Sequence, residues 1–163
     1  MTENSLATWK KIIKNLAEAD AYEVKVGIQG DKAAQPHEGG DLTNVEIAAV
    51  HEFNGPQDKP PGRAFIRPPM FEKEDYWKNR LAMLLKDVIE KGGNPKAAYR
   101  QIGEEYRKAI IDRVNAGIAP ALAESTIAAR NRRGGSKKGA VDDTPLRDTG
   151  AMLGALSVDV VHK

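Results

Sequence analysis

The sequence contains no cysteine, which excludes a disulfide framework, thiol catalysis, iron–sulfur ligation and every zinc finger that uses Cys ligands. Aromatic residues are scarce at 6%, and three histidines, His37, His51 and His162, are the whole supply of imidazole. No apolar run approaches the roughly 18 residues that a membrane-spanning helix needs, and the opening MTENSLATWKK lacks the basic start and apolar middle of an export signal. The expectation is a soluble chain that is not exported. What the sequence does have is 40% hydrophobic residues over 163 positions, enough for one domain with its own core.

Charge is near balance but uneven. Residues 1–60 hold 6 Lys+Arg and 10 Asp+Glu, or −4, and residues 61–163 hold 19 and 13, or +6, summing to the net +2. A dedicated nucleic-acid binder is usually more basic, with its charge gathered on one face. Unlike ends suit a protein that meets two neighbours, or further copies of itself.

Periodicity then orders the chain. At 100° per residue Leu6, Trp9, Ile12, Ile13 and Leu16 fall within a 120° arc, which predicts an amphipathic helix over 6–19, capped by Ser5, with its stripe in the core. Residues 22–28 alternate (Tyr22, Val24, Val26, Ile28) as a strand with one buried face. Residues 29–42 have no period and read as a long, flexible loop. Thr43, with Glu46 three positions on, signals a capping box and a helix ending near Phe53. Residues 54–62 are a turn-rich linker, and Phe53 and Phe65 are expected to lock it to the core. Ala64, Phe65 and Ile66 form an extended segment or edge strand stopped by Pro68 and Pro69.

A helix over about 70–91 follows, with Phe71, Trp77, Leu81, Leu84, Leu85, Val88 and Ile89 on one face, stopped at Gly92-Gly93. Asn94 caps the next helix, with Pro95 at its first position and Tyr99, Ile102, Tyr106, Ala109, Ile110 and Val114 as its stripe up to Gly117. A short helical stretch lies within 118–129, a flexible basic loop over 130–145, a capped helix from Asp148 to Leu156, and a strand over 157–161. The fold expected is α+β: a small mixed or antiparallel sheet packed against an N-terminal helix and two longer central helices, with long mobile loops, in a single domain.

No motif survives as catalytic. Asp148-Thr149-Gly150 matches the aspartic-protease triplet, but that chemistry needs two such aspartates in loops between apolar strands, and here a helical pattern follows. The reading is an N-cap at Asp148, with Gly150 permitting close packing or a tight helix entry. His51-Glu52 lacks the second His of a zinc-protease helix, and His51 near a helix end suits a partly positive ring. Residues 134–139 lack phosphate-loop spacing. No metal or cofactor is implied. Arg130, Arg132, Arg133, Lys137 and Lys138, with no acid among them, could touch a phosphate backbone, though no aromatic is interleaved for base stacking. Arg63 and Arg67 flank Phe65 on a shared side and are candidates for carboxylate pairs within or between subunits.

Four segments, taken in order, carry a resemblance: YEVKVGIQG, TNVEIAAVHEFNG, PPGRAFIRPPMFE and TPLRDTGAMLGALS. The chain resembles the virion-morphogenesis, or tail-completion, proteins of tailed bacteriophages, which act at the neck between head and tail. The likeness spans about residues 22–158, with Ala119, Pro120, Leu122, Thr126, Ile127 and Arg130 fitting a basic helix-start element. Two departures are Asn54 ahead of Gly55 and Ala64 ahead of Phe65. The resemblance implies a structural, non-enzymatic virion protein that assembles in the host cytoplasm. Its copies would form a hexameric ring between the tail tube or tail-terminator protein and the head connector or stopper. Contact with DNA would be non-specific, and no membrane is involved. The alternative is a nucleic-acid-binding accessory protein that uses the basic loop 130–138.

Overall fold

A computed structural model describes residues 3–37, 40–54, 61–133, 143–148 and 150–163. Its elements run α1 (Glu3–Asp20), β1 (Tyr22–Ile28), α2 (Asn44–Phe53), α3 (Pro68–Glu72), α4 (Glu74–Lys91), α5 (Pro95–Asn115), α6 (Glu124–Arg133), α7 (Ala151–Gly154) and β2 (Leu156–His162). The fold is α+β, with β1 and β2 paired as a two-stranded antiparallel sheet. The chain divides into two compact units: residues 1–26, 70–107 and 158–163 in one, and residues 27–69 and 108–157 in the other.

In the first unit α1 packs along α4. Asn15 Nδ2 donates to Ile89 O at 3.0 Å and Lys11 Nζ to Lys91 O at 3.4 Å. Lys11 and Asn15 lie roughly opposite the apolar stripe around α1. The stripe is therefore not core: Leu6, Trp9, Ile13 and Leu16 are 50%, 57%, 63% and 53% exposed, and no described residue covers them. The expectation of a buried stripe is corrected here, because amphipathicity reports the presence of a stripe and not what covers it. Ser5 is also inside the helix rather than at its cap.

The buried material of this unit comes from elsewhere. Trp77 on α4 meets Tyr106 on α5 edge to face, with ring centroids 5.2 Å apart, a favoured aromatic geometry. Gly103 on α5 takes Val24 and Val158 of the sheet against its bare backbone. A Cβ there would come within 2.5 Å of Val158 Cγ1 and 2.7 Å of Val24 Cγ2. Arg80 on α4 and Glu105 on α5 pair at 2.6 Å. The helix expected over 70–91 is two helices, broken at Lys73. Two prolines open α3, where their missing N–H groups cost nothing. Phe71 stays exposed.

In the second unit the segment after β1 is folded back onto the start of α2 rather than standing free. Its backbone bridges Pro36 to Thr43, His37 N–H donates to Leu42 O, and Val45 N–H donates to Ala33 O. Asn44, buried, donates from Nδ2 to Lys32 O at 2.9 Å and pairs through Oδ1 with His37 Nδ1 at 2.8 Å. The capping box forms as the sequence predicts: Thr43 N–H donates to Glu46 Oε2, and Glu46 N–H to Thr43 Oγ1. Phe65, Ile110 and Val114 are fully buried. Of the two phenylalanines expected to lock the linker, Phe65 is buried and Phe53 is exposed, while residues 55–60 of the linker lie outside the described residues. Residues 61–65 form no strand, and the chain bends at 66–67.

The C-terminal helix is shorter than predicted. α7 covers four residues, and its N-cap is Gly150 at φ +81, with no side-chain cap. Asp148 is thus not the cap. Among the described residues no atom beyond its chain neighbours stands within 4 Å of the position of a Gly150 Cβ, so left-handed helix entry, and not close packing, is what glycine supplies.

Candidate functional site

Glu52, in the last turn of α2, is the hub of the first constellation. Its side chain is buried at an end of α2 where the following chain returns, and its two oxygens gather the backbone of the 65–67 segment. Oε2 accepts from the N–H groups of Phe65 at 2.8 Å and Ile66 at 3.0 Å, while Oε1 accepts from Arg67 N–H at 3.0 Å and Arg67 Nε at 2.9 Å. Arg67 also donates from Nη2 to Glu52 O at 3.2 Å and lies 4.3 Å over the Phe53 ring. Burial pushes the Glu52 carboxyl up, but the hydrogen bonds from Ile66, Arg67 and Phe65 outweigh it and hold the pKa below the usual value. Arg67 therefore has the carboxylate partner expected of it, within its own chain.

Arg63 does not. It is 5% exposed and gives its hydrogen bonds to carbonyls: Nε to Pro120 O at 2.8 Å and Nη2 to Ala121 O at 3.0 Å. Arg130 behaves alike. The sequence places it at the head of a flexible basic loop, yet it lies in α6, 8% exposed, with Nη1 donating to Thr144 O at 3.1 Å and Arg147 O at 3.0 Å. Its Nε is 3.7 Å from Asp148 Oδ1. These bonds tie α6 to the segment just before α7, which is why Arg130 is not available to a phosphate backbone. Arg132 is exposed on α6; Arg133 ends that helix, and Lys137 and Lys138 lie outside the described residues.

Arg63 and Arg130 line one cavity of about 460 Å³, together with His37, His51, Thr126 and Asp148. Apolar walls come from Ile47, Leu122, Leu146 and Met152. His51 keeps Nδ1 buried with no hydrogen-bond partner among the described residues. Burial, followed by the nearby Arg63 charge and His37, lowers the His51 pKa, so the ring is neutral at pH 7 and not the partly positive ring expected at a helix end. Burial and the neighbouring Arg130 likewise lower the Arg63 pKa.

Sequence reasoning found Arg63, Arg67 and Arg130 but missed Glu52 and His51 as structural partners. A carboxylate followed by a turn-rich linker and a Pro-flanked apolar segment is the signal that was available for Glu52. Among the described residues no cluster of three His, Asp or Glu could hold a metal, and no helix is long and apolar enough to cross a membrane. Comparisons with protein-family models, curated proteins and solved structures find no match to this chain.

Proposed function

We propose that this chain is a structural protein of a tailed bacteriophage that acts in tail completion and head–tail joining, as a ring between tail and head connector. The supporting observation is that two of the segments carrying the resemblance, those around Glu52 and Phe65, are hydrogen-bonded to each other in the second unit. Glu52 of HEF holds the backbone of FIR, and Arg130 holds the carbonyls of Thr144 and Arg147 on either side of Pro145-Leu146. Rings of one chain use unlike patches on the two sides of each subunit. The exposed α1 stripe is an apolar surface that suits one such contact.

The nucleic-acid reading loses one of its five basic residues, because Arg130 is buried. Immunogold labelling of particles from an induced lysate tests the proposal. Label concentrated at the head–tail junction is expected; label on capsid faces, or on no particle, would overturn it.

A further inference from the structure

We infer that the cavity lined by Arg63, Arg130 and His51 is a binding site for a carboxylate carried on an apolar stem, the chemistry of an acidic side chain or chain terminus of a protein partner. Buried charges are ordinarily paired, since removing a guanidinium from water costs several kcal/mol unless an opposite charge compensates it. Here two guanidiniums border one space, and the one carboxylate lining it among the described residues, Asp148, stands 3.7 Å from Arg130. The hydrogen bonds of Arg63 go to the carbonyls of Pro120 and Ala121, which orient it without neutralising it. Among the described residues of the wall, positive charge therefore exceeds negative.

The space and the remaining groups fit the same occupant. About 460 Å³ lies within the range of small-ligand sites. The buried Nδ1 of His51 supplies a further donor once that nitrogen is protonated, and the Thr126 hydroxyl is on the wall. The ring of His37 is already fixed by Asn44, so this side of the site is set before anything binds. Ile47, Leu122, Leu146 and Met152 favour a hydrocarbon stem over a fully hydrated phosphate. The inference rests on the cavity's own chemistry and stands whether or not the chain is a virion protein.

Titration of the full chain with hexanoate, acetate, hexanol and inorganic phosphate, at constant ionic strength, tests it. The readouts are the Nε–H resonances of Arg63 and Arg130 and the His51 titration midpoint. Hexanoate is expected to shift both arginine signals saturably and to raise the His51 midpoint, with acetate weaker. Leu122→Asp, which puts a like charge on the wall, should weaken hexanoate by at least about tenfold, the effect that a unit charge even about 10 Å away has at an effective dielectric near 20. Ala123→Asp, at the exposed rim, provides the same test if Leu122→Asp unfolds. Equal shifts with hexanol would mean an apolar hole without charge recognition, and tighter binding of phosphate would remove the carboxylate assignment. Shifts at Arg63 and Arg130 no larger than at Arg80 would overturn the site altogether.

Discussion

Replacing Glu52 by glutamine removes one charge and almost no volume, so its effect isolates the hydrogen bonding at the end of α2. The carboxylate uses one oxygen for the Phe65 and Ile66 N–H groups and the other for Arg67 N–H and Nε. An amide keeps one oxygen and turns its NH2 toward a pair of donors, whichever way it is placed. With the NH2 toward Arg67, whose side chain is half exposed, the guanidinium can turn to water and one backbone N–H loses its acceptor. The other orientation strands two N–H groups. Hydrogen bonds to charged groups contribute about 1.5–3 kcal/mol, and a stranded buried donor costs about 1–3 kcal/mol. Glu52→Gln should therefore cost about 3 kcal/mol at pH 7, lowering Tm by roughly 6–12 °C at about 2–4 °C per kcal/mol.

The pH dependence follows from the lowered Glu52 pKa. A carboxyl depressed in the folded state adds stability above its unfolded pKa, near 4.3, and loses it as pH falls through the folded value. The gap between wild type and Glu52→Gln should be full at pH 7 and shrink below about pH 4. Arg67→Met, by contrast, should cost about 1 kcal/mol or less, since its partner retains three backbone donors. Urea unfolding at pH 7 and pH 3.5 measures all three proteins. A Glu52→Gln loss under about 0.5 kcal/mol at pH 7, the range of an ordinary surface change, would refute the assignment of Glu52 as the clamp.

Gly103→Ala should destabilise by about 1–3 kcal/mol in thermal unfolding, although alanine is the better helix former, because the new methyl overpacks Val24 and Val158. Trp9→Ser should leave stability of the free protein within about 0.5 kcal/mol, and acrylamide should quench Trp9 far more than the buried Trp77. The His51 imidazole should titrate below the usual histidine range by NMR. Because its folded pKa is depressed, its contribution to stability is present above the unfolded value near 6.5 and lost as pH falls through the folded one, and His51→Gln should flatten that slope.

Local signals carried far in this chain. The Thr43–Glu46 box and Pro95 after Asn94 each specify structure through neighbours a few residues away and form as read, and the alternation over 22–28 gives the strand, although its apolar residues are half-buried and not a buried face. Long-range satisfaction was not legible. Glu52 meets donors 13 to 15 residues on, and nothing in a carboxylate's identity tells whether it faces water or returning backbone. Arg63 and Arg130 are buried through carbonyl oxygens, which every residue has and no sequence displays. A charge-rich run therefore reads as solvated even where one member is the internal strut. The α1 stripe failed for the complementary reason: Asn15 and Lys11 supply hydrogen bonds to the end of α4 from the side that looks polar.

Deletion of the gene from its phage or prophage, with electron microscopy of the induced lysate, tests the neck role most directly. Filled heads beside separate, full-length tails are predicted, with joining restored by the wild-type gene. Normal, infectious particles from the deletion would contradict the role.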